Sequence, residues 1–195
     1  MEETQKKEGK WKGKDWYAIC LPELFDKREI GEVPATDPQL VIGRIMEISA
    51  GELTGDSSKL YLKLRFKVNK VEGKVASTTF SGITTVREHA SRMVRKRAEK
   101  VDAVENMATK DGWELQVSAL GILNRNTYSH IGGKVRHLII AELRKAVSKL
   151  TMDEMIEAVV SKTLQKKVRE AGNKIYPLRA FDIVKVEVLK AGGNN

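Results

Sequence analysis

The residues able to do bond-making chemistry in this chain are few, and their spacing does not assemble a catalytic centre. The three histidines are His89, His130 and His137. None has a ligand-type partner at i, i+4, so the paired-histidine zinc motif of a helical metalloprotease is not formed. Gly132-Gly133-Lys134 is followed by Val135 and lacks the earlier glycine that a phosphate loop requires. There is no GxSxG turn and no glycine-rich dinucleotide fingerprint after a strand. Asp102 with Glu105, and Asp153 with Glu154 and Glu157, are carboxylates of the kind that cap helices and face water. The expectation is a protein without catalytic residues, cofactor or metal. An RNA-processing enzyme is one competing class, and it would depend on a carboxylate such as Asp102 or Asp153.

Cations are the chemistry present in quantity. The 195 residues carry 35 Lys and Arg against 26 Asp and Glu, a net charge of +9. Each phosphate neutralised by such a surface releases condensed counterions, so nucleic acid is the leading partner class. No segment approaches the roughly 20 apolar residues of a spanning helix, and no membrane partner is expected. Cys20 is the only cysteine, which excludes an intramolecular disulfide framework and a Cys-rich zinc site. Met1–Lys14 is charged and has no apolar core of a secretory signal, so the default address is cytoplasmic.

The basic residues fall into five clusters. Lys10, Trp11, Lys12 and Lys14 interleave charge with an aromatic in an N-terminal arm, with Trp16 and Tyr17 just beyond; Trp16 is expected to dock inward. Lys63, Arg65 and Lys67 share one strand face with Lys59 and Tyr61, where Tyr61 could stack on a base. Arg87, Arg92, Arg95, Lys96 and Arg97, with Lys100, face only Glu88 and Glu99, leaving residues 87–100 at +4. Like charges at helical spacing destabilise an isolated helix by a few tenths of a kcal/mol per pair, a conflict that a phosphate backbone removes. Arg125, His130, Lys134 and Arg136 surround a glycine-rich helix start, with Tyr128 beside them. A solvated face or an ordinary turn is the competing reading for the strand and the loop. Lys162, Lys166, Lys167 and Arg169 read as the wet side of an amphipathic helix.

These clusters need elements to position them. Residues 59–69 alternate, with Leu60, Leu62, Leu64, Phe66 and Val68 on one face, which predicts a half-buried antiparallel strand. Residues 75–84 make its hairpin return past Gly73. Leu40–Ser49 alternates less cleanly and predicts a strand before the turn at Gly51 and Gly55, while residues 23–38 read as irregular connection. Thr85-Val86-Arg87-Glu88 has capping-box form and predicts a helix through the basic run to Lys100. Strands follow around 101–109 and 113–123. The loop 124–133 leads to a helix from Val135, and a second capping box, Thr151 to Glu154, opens helical sequence running to Gly172. A last strand spans Phe181–Leu189. The expected fold is α+β, a mostly antiparallel sheet or partly closed barrel with three to four helices. Its expected organisation is an extended basic tail over residues 1–20, one domain over 21–190 and a frayed end at 191–195.

Several stretches, in order, resemble a known family. Gly43-Arg44-Ile45-Met46-Glu47-Ile48-Ser49 with Glu52-Leu53 is similar to its GR-x-x-E-x-S strand and turn. Phe80-Ser81-Gly82-Ile83-Thr84-Thr85 with Arg87 and Met93-Val94-Arg95-Lys96 resembles its F-x-G…T-R-D-K…V-R-K segment, departing at Val86-Arg87-Glu88-His89. Thr109-Lys110-Asp111-Gly112-Trp113, the Val135-Arg136…Leu143-Arg144-Lys145 helix, and Lys174-Ile175-Tyr176-Pro177-Leu178 with Val184–Lys190 fit as well. The family is the small-subunit ribosomal protein family S-three-A-e (e-type S-one), matched from about Lys14 to Lys190. Without the long basic C-terminal extension of eukaryotic members, the chain resembles archaeal ones. The resemblance implies a non-catalytic protein that binds small-subunit ribosomal RNA on the platform near the messenger exit. The resemblance also implies neighbouring platform proteins, and messenger RNA near the exit, as partners. A sequence-specific DNA-binding protein, reading through the 92–97 helix, is the other class that the charge pattern admits.

Overall fold

The computed structural model describes residues 13–25 and 27–192, the side chain of Leu24 excepted. Of the basic arm, Lys10, Trp11 and Lys12 lie outside the described residues, and Lys14 is half-buried just before the first strand. The chain divides into two compact units, the first formed by residues up to Met46 and by Phe66–Thr79, the second by Glu47–Arg65 and the residues from Phe80.

In the first unit, β1 (Asp15–Cys20) pairs antiparallel with β2 (Glu29–Ala35). Tyr17 and Ile19 alternate inward on β1 and are buried at 4 % and 0 % exposure, while Trp16 is 52 % exposed. The period of two therefore turns Trp16 outward and Tyr17 inward, against the sequence expectation. Strand formation also begins inside the segment expected to be tail, and residues 29–35, expected to be irregular, form β2. Pro34 is tolerated there because, among the described residues, β2 pairs only with β1, and an edge position needs no second amide. Tyr17, Ile19, Ala35, Val41, Val68 and Ala76 form the core of this unit. Residues 38–40 form a short 3-10 turn, so the expected strand at 40–49 shortens to β3 (Ile45–Ser49).

Two long strands carry the chain through both units, β4 (Leu62–Glu72) and β5 (Val75–Thr85). They are joined at Gly73, whose φ of 61° suits the left-handed region that glycine enters without cost. The alternation read from the sequence is present, with Leu62, Leu64, Phe66 and Val68 at 2 % exposure or less. Leu60, which precedes the strand, is 52 % exposed. In the first unit β5 pairs parallel with β1, through Ala18 and Val75.

In the second unit β5 pairs antiparallel with β8 (Leu178–Lys190), which pairs with β7 (Glu114–Leu123), which pairs with β6 (Lys100–Ala108). β3 pairs with β4. Among the described residues no pairing joins β6 to β3, so the sheet is open and mostly antiparallel, not a barrel. Helices α3 (Ser129–Val147), α4 (Met152–Val160) and α5 (Thr163–Gly172) supply the α layer. Val135, Ile139, Leu143 and Val147 recur every four residues on α3 and are at 1 % exposure or less. A Cβ at Gly121 would lie 3.2 Å from Ile139 Cδ1, so β7 approaches α3 closely there. Truncating such a residue costs about 2–5 kcal/mol. The capping box at α4 forms as the sequence predicts: Glu154 N donates to Thr151 Oγ1 at 3.3 Å, and Thr151 N to Glu154 Oε2 at 2.9 Å. Two shorter helices, α1 (Ala50–Thr54) and α2 (Arg87–Met93), complete the set; the helical stretch expected from Thr151 to Gly172 is broken into α4 and α5 at Lys162, whose φ is 61°.

Candidate nucleic-acid interface

The cations of β4 are largely engaged within the protein. Lys63 Nζ lies 3.5 Å from Glu47 Oε2. Arg65 lies between Glu47, at 3.4 Å, and Glu187, at 3.9 Å. Its Nε is shielded from solvent without a hydrogen-bond partner, so the attraction to Glu47 is coulombic rather than directional. Lys67, in the first unit, is exposed. Tyr61 is not an outward stacking platform: its ring stacks on His89, with centroids 3.9 Å apart and planes 16° from parallel. Lys162 covers it, with Nζ 4.8 Å from the ring centroid. Burial works against the Lys162 charge, but its hydrogen bond to Tyr61 and the nearby Asp182 carboxylate outweigh burial and hold its pKa above the usual lysine value.

That stack anchors α2. The helix buries none of its own residues and stands beside a cleft of about 540 Å³ between Ala90, Val94, Val104 and Leu120. It is held instead at its start, where Val86 N donates to Tyr61 O at 2.8 Å and His89 Nε2 lies 3.3 Å from Oδ2 of the buried Asp182. The capping box expected here does not form, because Thr85 Oγ1 donates to Ile183 O at 3.0 Å instead. The helix also stops at Met93, so Arg95, Lys96 and Arg97 lie on the connection to β6 and not on a helical face. Arg97 takes a left-handed backbone, φ 66°, which a side-chain-bearing residue adopts at a cost.

The same connection meets the loop before α3. Asn126 N donates to Arg97 O at 3.1 Å, and Leu123 N to Glu99 O at 2.9 Å. Glu99 Oε2 accepts from Thr127 N at 2.9 Å and from Thr127 Oγ1 at 2.7 Å. Its other oxygen lies 2.8 Å from where a Cβ on Gly132 would be. Helix α3 starts at Ser129, six residues before the expected Val135, and both glycines lie in its first turns. Glycine's poor helix propensity makes this stretch resemble a loop in the sequence. Gly132 is accommodated because its bare backbone admits the Glu99 carboxylate. His130 and Lys134, at i and i+4, share the outward face of α3. Arg136 is exposed further along the helix, and Arg125 on the loop.

Two clusters separated in sequence thus become one surface of the second unit. Arg92, Arg95, Lys96, Arg97, Arg125, Lys134 and Arg136 are all exposed, and none has a carboxylate at ion-pair distance among the described residues. Arg87, at the start of α2, is likewise exposed and unpaired among them. Tyr128 is 76 % exposed, with its ring beside His130 at 5.9 Å between centroids. An exposed aromatic among unpaired cations is the arrangement that single-stranded nucleic acid uses for stacking and phosphate contact. In the sequence Tyr128 is only a neighbour of the basic cluster, and Glu99 reads as a surface counter-charge, although Glu99 holds the two segments together; only its isolation in a cationic run hints at that.

Known proteins resemble this chain over nearly its whole length. The chain matches the sequence model of the ribosomal S3Ae family over residues 2–192. It is 38 % identical over 179 residues to "Small ribosomal subunit protein eS1" of Methanobrevibacter smithii, covering 92 % of this chain and 93 % of that one. The protein of the same name from Methanothermobacter thermautotrophicus is 37 % identical, with 92 % of each chain covered. That from Methanopyrus kandleri is 34 % identical, over 93 % of this chain and 88 % of its own. The chain belongs to the ribosomal S3Ae family.

Proposed function

We propose that this protein is a structural constituent of the small ribosomal subunit that binds small-subunit ribosomal RNA through the surface formed by residues 92–97 and 125–136. The observation that carries the RNA-binding part is the convergence of two basic segments whose cations find no carboxylate among the described residues, around the exposed ring of Tyr128. Unpaired guanidinium and ammonium groups position a phosphate backbone, and a free tyrosine face takes an unstacked base. Membership in the S3Ae family supports the ribosomal setting and a cytoplasmic place in the small subunit, where the protein acts without catalysis. The family resemblance supports a position on the platform near the messenger exit, beside neighbouring platform proteins and within reach of messenger RNA.

The test is sedimentation of the native protein through sucrose gradients. Co-sedimentation with small subunits at moderate salt, and release as salt rises and the counterion term weakens, is the expected result. A protein confined to the ribosome-free fraction at low salt would overturn the proposal.

A further inference from the structure

We infer that Glu99, a negative charge inside the basic surface, is a positioning residue for RNA binding, so that its removal weakens the interaction. The inference rests on the RNA-binding reading above and goes one step further. By charge alone Glu99 opposes a polyanion, and deleting it should tighten binding. The geometry points the other way. One carboxylate oxygen takes both the amide and the hydroxyl of Thr127, at 2.9 and 2.7 Å, fixing the loop that carries Arg125 and Tyr128. The other oxygen sits against Gly132 in the first turn of α3, whose amides and aligned peptide dipoles favour an anion. The backbone of Glu99 holds Leu123 N as well. Arg95, Lys96 and Arg97 lie two to four residues before it, and Arg125, His130 and Lys134 flank its partners. Without Glu99 the two sets of cations remain, but the side-chain bonds that set their spacing are gone, and a phosphate backbone would have to order them on binding.

Charge and position can be separated in the full chain with purified small-subunit ribosomal RNA as the probe. The dissociation constant is measured as a function of salt. Glu99→Ala is expected to bind about five- to tenfold more weakly, with a shallower salt dependence because fewer phosphates are held at once. Glu99→Gln, which keeps an oxygen to accept from Thr127, is expected to bind at least as tightly as the wild type. Gly132→Ala changes no charge but pushes its methyl into the carboxylate, and it is expected to weaken binding in the same direction. Val168→Ala, a truncation within α5 that removes neither a charge nor a polar contact, controls for stability: it should lower the melting temperature and leave the salt slope unchanged. The inference is overturned if folded Glu99→Ala binds as tightly as the wild type or more so. Should that variant not fold, Gly132→Ala decides, and unchanged binding there overturns the inference equally. If the wild-type protein does not bind the RNA, the RNA-binding reading itself fails and this inference falls with it.

Discussion

The β4 face and the surface around α2 and the start of α3 are both rich in cations, yet they differ in what those cations touch. On β4, Lys63 and Arg65 are drawn to Glu47 and Glu187 at 3.4 to 3.9 Å, so each has a carboxylate within the protein, Glu187 being shared with Lys185 at 2.6 Å. Within residues 92–97 and 125–136, seven exposed Lys and Arg lack any such match among the described residues, and Glu99, beside them, binds amide and hydroxyl groups of the loop. Clustering in sequence is alike in the two regions; carboxylate supply from neighbouring elements is not. A cation already paired gains little from a phosphate, because the exchange frees one acid for each phosphate bound. An unpaired cation gives its full counterion-release term. On this contrast rests the proposal that the first region serves the fold and the second binds RNA.

Reversing charge at Arg92, Arg95 and Lys96 is the strongest way to break that division. The slope of log affinity against log salt should fall by about three, roughly one for each phosphate no longer neutralised. Thermal unfolding should move little, since surface changes away from special features stay within about 0.5 kcal/mol. A drop in stability as large as the drop in affinity would put these residues with the fold. Next in size is Tyr128→Ala. If a base stacks on this ring, the change costs about 1–3 kcal/mol of binding. It should leave the salt slope intact, because no charge is removed. A titration in which the variant matches the wild type would remove Tyr128 from the interface.

The sequence made the division only half visible. The alternation from Leu62 to Val68 and the Thr151–Glu154 capping box were legible because each is fixed by neighbours in the chain, through period two and through reciprocal bonds to helix amides. The Thr85 capping box was not real, because a backbone carbonyl from β8, 98 residues away, takes the Thr85 hydroxyl. The helix through Lys100 likewise gave way to a left-handed Arg97 and a turn. The basic clusters could be named from composition, but their pairing with Glu47 and Glu187, or with nothing, depends on which strands lie side by side. Gly132 shows the same limit: its glycine predicts a loop locally, and only contact with Glu99 explains it inside a helix.

On β4 the expected balance is the reverse. Replacing Lys63 and Arg65 with methionine should change the salt slope by less than one and lower the melting temperature instead. These pairs are partly exposed, the Arg65 side chain at 26 % and the Glu47 side chain at 44 %, so each contributes about 0.2–1 kcal/mol at most. For a chain of this size that amounts to roughly 2–4 °C per kcal/mol. A salt slope that fell by about two would show that the intramolecular partners yield to phosphate, and the comparison would collapse.

Lys162 gives the smallest effect and the finest distinction, because it is a cation turned wholly to structural use over Tyr61. Its folded-state pKa is raised, so its contribution to stability is fully present below the ordinary lysine value and is lost as pH rises through the folded one. Lys162→Met should therefore melt a little below the wild type at neutral pH, by the roughly 0.5–1 kcal/mol of a partly exposed cation–π contact. The gap should close at strongly alkaline pH, with RNA affinity unchanged throughout. A gap that persists when the lysine is neutral would mean that side-chain contacts other than the charge make the Lys162 contribution. In that case the division between the two kinds of cation holds, but packing rather than electrostatics holds Lys162 over Tyr61.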